Sequence, residues 1–168
     1  SNYNISGYIL SLASNAQPLL PFGYDSFRVA GYAVTDGSSH FLLAYTSGNN
    51  NTRVFTYDAP IATSVTAGTS ATYAAIALTS FVPVVDNLPV LFKANWTANA
   101  AADTFNMQGG NSTGDQWSLI APVAGATAHT VAFGQVLSQL VAGVPTVNYK
   151  VSAVGGVAIN VAGFEFFV

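Results

Sequence analysis

The sequence contains no cysteine and very little charge. Without cysteine there is no disulfide framework, no thiolate nucleophile and no zinc–thiolate site. Charged residues make up 7% of the 168, against about 25% in ordinary globular chains. Four Lys/Arg stand against seven Asp/Glu, for a net charge of −3. No basic patch is available to hold phosphates, so nucleic acid is not an expected partner. No apolar run approaches the roughly 18 residues of a membrane span, so no membrane partner is expected either. The opening Ser1-Asn2-Tyr3-Asn4 lacks the basic and apolar regions of a signal peptide. A start at Ser1 without methionine reads as processing or trimming. Four sequons, at Asn4, Asn50, Asn95 and Asn111, read as chance in a chain this rich in Asn, Ser and Thr.

What remains is apolar and uncharged. Hydrophobic residues reach 51% and mean hydropathy is +0.41. One domain over 1–168 is the simplest organisation, long enough to bury roughly 70% of its unfolded surface. Solubility rests on Ser, Thr, Asn, Gln and Gly, which suits a protein packed against copies of itself or working outside the cytosol.

The last third carries the clearest pattern. Along Val147–Ser152, Val147, Tyr149 and Val151 alternate with Asn148, Lys150 and Ser152, a strand with one apolar face. Gly155-Gly156 offers a tight reversal. Val157, Ile159 and Val161 continue the alternation, and past Gly163 the apolar phase slips to Phe164, Phe166 and Val168. A glycine at a phase slip predicts a bulge. The expectation is a terminal hairpin whose last strand is apolar to its end and held by a sheet or a partner.

Upstream, Tyr8–Leu12 reads as a short strand and Gln17–Phe22 as a proline-punctuated extended segment lying on another surface. Residues 1–22 are thus an extended docking segment. Ser26–Thr35, His40–Thr46 and Arg53–Tyr57, separated by Asp36-Gly37-Ser38-Ser39 and Ser47–Thr52, predict a three-strand meander. Further strands are predicted over Thr72–Leu78, Pro89–Thr97, Thr104–Met107 and Trp117–Ile120, with a loop or single helical turn at Ala98–Asp103. Val136–Val141 has helical spacing, but six uncapped residues do not outweigh the β context. The fold expectation is all-β: an antiparallel β-sandwich or jelly-roll-like domain of about nine or ten short strands.

Catalytic patterns are lacking. His40 and His129 lie in strand-like runs without a nucleophile elbow or ligand spacing. Asp86, Asp103, Asp115 and Glu165 are scattered through separate segments, and nothing marks two of them as a glycosidase pair. No glycine-rich phosphate loop occurs. The chain reads as a non-enzyme with no cofactor and no metal. Eleven Phe, eight Tyr and two Trp remain. Most should fill a core, but Trp96, Trp117 and Tyr45 are candidates for stacking on glycans, with Tyr57 and Tyr73 behind them.

Four passages taken in order carry a resemblance. They are Phe27–Asp36, a strand ending in Thr-Asp before a small-residue turn, Ile76–Pro83 closing in Val-Pro, Ala98–Phe105 between two strands, and Tyr149–Ser152 followed by Ile159–Glu165. The combination resembles structural proteins of tailed bacteriophages, of the fibre, spike and capsid-decoration kind, with β-sandwich domains that often trimerise. The likeness implies a virion component made in the bacterial cytoplasm: a capsid-decoration, head-fibre or tail-fibre protein. Its expected partners are copies of itself in a homotrimer and other virion proteins, such as the major capsid or tail proteins. Leu19, Leu20, Phe22, Phe164, Phe166 and Val168 are then the expected subunit contacts. The alternative is a carbohydrate-binding or receptor-binding module with a host surface glycan as ligand.

Overall fold

The computed structural model describes residues 32–35, 40–49, 51–121, 128–152 and 156–167, with the backbone alone at 128–130. Nine strands run through these residues: β1 (Ala44–Gly48), β2 (Thr52–Ala62), β3 (Ala74–Ala77), β4 (Leu88–Ala98), β5 (Thr104–Gly109), β6 (Trp117–Ile120), β7 (Ala128–Val141), β8 (Val144–Val151) and β9 (Val157–Phe167). All pairings are antiparallel. The protein is all-β, as the strand spacing predicts. The predicted strand at Tyr8–Leu12, the segment Gln17–Phe22 and residues 26–31 of the strand predicted over Ser26–Thr35 lie outside the described residues, and of residues 32–35 only Thr35 forms a bridge, to Phe41.

The order β1-β2-β9-β4-β7-β8-β5-β6, with β3 also on β8, makes one continuous sheet that curls on itself. β7 supplies the continuity. Residues 128–138 pair with β4 in the first layer, and Gln139–Val141 pair with β8 in the second. The strand's length allows both: fourteen residues with no proline can serve two ladders, where a six-residue helix would serve neither.

Alternation explains the core. β4 buries Leu88, Val90, Phe92, Ala94, Trp96 and Ala98 and turns Lys93 and Asn95 outward. β9 adds Val157, Ile159 and Val161, and β2 adds Phe55 and Tyr57. From the second layer Ile76, Phe105, Met107, Val147, Tyr149 and Val151 complete the cluster. Trp96 meets Phe105 across the interior at 6.4 Å between ring centroids. Each fully buried Val, Leu, Ile, Phe or Met among them contributes about 1.5–3 kcal/mol by leaving water.

The bulge expected at Gly163 is present. Gly163 pairs with Leu91 and Val161 with Phe92, so Ala162 is the extra residue, and the ladder to β2 slips at the same place. A β-carbon on Gly163 would stand 2.1 Å from the Phe55 carbonyl oxygen. Glycine is therefore required by close backbone approach. After the bulge Phe164 and Phe166 point into the core.

The terminal hairpin is corrected. β8 and β9 do not pair: β8 sits among β3, β5 and β7, and β9 sits between β2 and β4. Their apolar faces are alike because they face one core from opposite layers, and not because they share a ladder. The tight hairpin is instead β7–β8, turning at Ala142-Gly143 with φ of +50° and +82°. Positive φ at both central residues matches the twist of the flanking strands.

Other loops follow local chemistry. In the β1–β2 turn, the Asn49 Oδ1 accepts from the Asn51 and Thr52 amides at 3.0 Å. In the segment after β4, the Asp103 carboxylate accepts from the Asn99 and Ala100 amides, which fixes a turn and leaves no helix.

Candidate functional site

Leu42 and Ala44 face the core, so the alternate residues Phe41, Leu43 and Tyr45 face out. They are 71%, 72% and 56% exposed, three large side chains in a row at the start of the first layer. Nothing polar separates them on that face, because the two-residue period sends every intervening residue inward. β1 pairs with β2 along one side. On its other side, among the described residues, only the Thr35–Phe41 bridge and the Leu42 amide to the Val34 carbonyl are formed. Beside this row a hollow of about 160 Å³ is lined by Leu42, Leu43, Tyr57, Asp58, Ala59 and Ile61. That is smaller than the roughly 300–1,000 Å³ of small-molecule pockets. It suits a single side chain.

A second apolar row lies on β7 of the same layer. Val131, Phe133 and Leu137 are exposed there, Phe133 by 67%. Their neighbours are polar: Lys93 stands opposite Phe133, and the Gln135 Nε2 donates to the Glu165 carboxylate at 3.1 Å. Four ladder spacings separate the two rows, or roughly 19 Å at about 4.8 Å each.

The residues singled out by sequence fall in different places. Trp96 is 2% exposed and belongs to the core, so it presents no face to a sugar. Trp117 is half-buried, edge-on to Phe105 at 5.4 Å, and fills the space above Gly134. Tyr45 alone of the three is at the surface, and the structure does not bring them together. Phe164 and Phe166 are likewise inside the chain. Phe55 stacks on Phe164 at 4.9 Å, and Tyr32 meets both rings edge-on at 5.7 and 5.0 Å. They are not available as subunit contacts, because the bulge turns them inward. Leu19, Leu20, Phe22 and Val168 lie outside the described residues. The row Phe41-Leu43-Tyr45 was within reach of the sequence. Its alternation with Leu42 and Ala44 is plain, but nothing local says which face is buried.

The carboxylates have separate partners. Asp86 accepts from the Leu140 amide at 2.9 Å, Asp103 holds the turn after β4, Asp115 lies 3.8 Å from the Lys150 ammonium, and Glu165 accepts from Gln135. Among the described residues no three metal-ligating side chains converge. Tyr57 donates its hydroxyl proton to the Phe81 carbonyl, and burial pushes its pKa well above the ordinary phenol value. Tyr32 shifts in the same direction for the same reason.

No family model matches the sequence, and no curated protein matches it.

Proposed function

We propose that this chain is a structural component of a tailed-bacteriophage virion, a decoration or fibre protein without catalytic activity, that assembles with copies of itself, most simply as a trimer. The observation that supports this reading is the row Phe41-Leu43-Tyr45, more than half exposed at every position, on a chain with almost no charge to disperse. Exposed apolar surface of this kind marks interaction sites, and edge strands are protected by pairing or coverage. The neighbouring hollow offers a place for one apolar side chain of a neighbour. Contacts of this sort are hydrophobic and depend little on salt. In the same reading the protein is assembled in the bacterial cytoplasm and meets the major capsid or tail proteins on the particle.

Native mass in solution tests it. A species of three times the 17.4 kDa chain mass that falls to one in Leu43→Asp is the expected result. A monomer that persists at high concentration overturns the self-assembly reading. The glycan-stacking reading finds little support in Trp96, Trp117 and Tyr45, which share no surface.

A further inference from the structure

A closed trimer is heterologous: one patch of each copy meets a different patch of the next, so each chain must carry two surfaces that fit each other. The self-assembly reading uses one of them, the row Phe41-Leu43-Tyr45 with its hollow. The counterpart has to lie elsewhere on the same chain, exposed and apolar. Among the described residues, four of the other exposed large hydrophobic side chains lie on β7: Val131, Phe133, Leu137 and Val141. Ile120 and Phe167 stand singly on β6 and β9.

Shape agrees with polarity. The hollow opens to solvent at Leu43, Asp58 and Ala59, which are exposed, and reaches down to Tyr57, which is buried. Its size suits one side chain. Phe133 is the most exposed member of the β7 row, a single ring with no partner ring among the described residues.

Charge singles out the same two places. Of the five described side-chain carboxylates, Asp86, Asp103, Asp115 and Glu165 have partners. The fifth, Asp58, lines the hollow, and its carboxylate makes no ion pair or hydrogen bond among the described residues. Lys93 has no carboxylate partner among the described residues either. It stands directly opposite Phe133 in the β4–β7 ladder, where the β-carbons of opposed residues are about 5 Å apart. Within one chain β9 separates the strands of Lys93 and Asp58. We infer that Phe133 of one copy seats in the hollow beside Leu43 of the next, with Lys93 set against Asp58 at its rim, and that this contact closes the ring at three copies. The inference rests on the self-assembly reading and names the partner of its apolar row: β7 of a second copy. The buried ring supplies the strength of such a contact, and the exposed ion pair sets its register.

Zero-length carbodiimide coupling of the full chain tests it, because that reagent joins only a lysine and a carboxylate in direct contact. Covalent dimers and trimers should form, and their peptides should carry a Lys93–Asp58 amide that is missing in Lys93→Gln. Phe133→Asp should lower the native mass to that of one chain while keeping a cooperative melting transition. A native trimer that yields no Lys93–Asp58 link overturns this inference and leaves self-assembly standing. So does a trimer that survives Phe133→Asp but is dissolved by Leu43→Asp. A wild-type chain that stays monomeric at high concentration overturns both.

Discussion

Trp117 lies across Gly134 so closely that a β-carbon at position 134 would stand 2.2 Å from the indole ring. The missing side chain is what lets β6 close over β7. Gly134→Ala should force the ring aside at a cost of about 1–3 kcal/mol. Denaturant melts should show the loss, and the indole emission of the native state should shift to the red as Trp117 is displaced.

Gly163→Ala should be worse. Its obstacle is the Phe55 carbonyl oxygen at 2.1 Å, and backbone in the middle of a sheet cannot swing away as a ring can. The expected cost is about 3 kcal/mol or more. A midpoint equal to that of Gly134→Ala would show that the bulge adapts.

Core and surface phenylalanines should separate cleanly. Phe164 is fully buried, and Phe164→Ala should cost about 3–5 kcal/mol. Phe41 is 71% exposed, and Phe41→Asp should change monomer stability by no more than about 0.5 kcal/mol while reducing the native mass. A large loss of stability in a strictly monomeric Phe41→Asp would place Phe41 in the fold and not at a contact.

Burial raises the Tyr57 pKa in the folded state above its unfolded value. Protonated tyrosine is therefore the favoured folded form. Its contribution is complete below the unfolded pKa of about 10 and is lost as pH rises beyond it. Melting temperature should be level through neutral pH and fall above about pH 10, and the fall should be shallower in Tyr57→Phe. That variant also leaves the Phe81 carbonyl without its donor, at about 1 kcal/mol. Equal alkaline slopes in the two proteins would assign the loss to Tyr32 or to other groups.

Strand positions were legible in the sequence wherever alternation met turn chemistry. Val90, Phe92 and Trp96 against Lys93 and Asn95 gave β4 its faces, and the slip at Gly163 gave the bulge. Partner choice was not legible. Val147-Tyr149-Val151 and Val157-Ile159-Val161 carry the same alternation whether they share a ladder or face each other across a core, and Gly155-Gly156 made the ladder look nearer. Conversely, Ala142-Gly143 forms a two-residue turn on a residue, alanine, that rarely announces one. The burial of Trp96 was not legible for a related reason. Size and ring chemistry are local, but exposure is decided by which layer lies opposite, and Trp96 meets Phe105 across the whole interior.

β9 lies between β2 and β4, although it follows every other described strand along the chain. During synthesis Phe55 must therefore wait for Phe164, and Val90 with it, while all the intervening strands emerge. Until β9 arrives, β2 and β4 are two open ladders with a half-built interior between them. Closing that gap late, across so long a loop, makes for slow folding and a period of exposure in which neighbouring nascent chains compete for the same vacant slot. A holdase on the ribosome, or a low rate of initiation, would be expected to raise the yield of this protein more than any stabilising change at its surface.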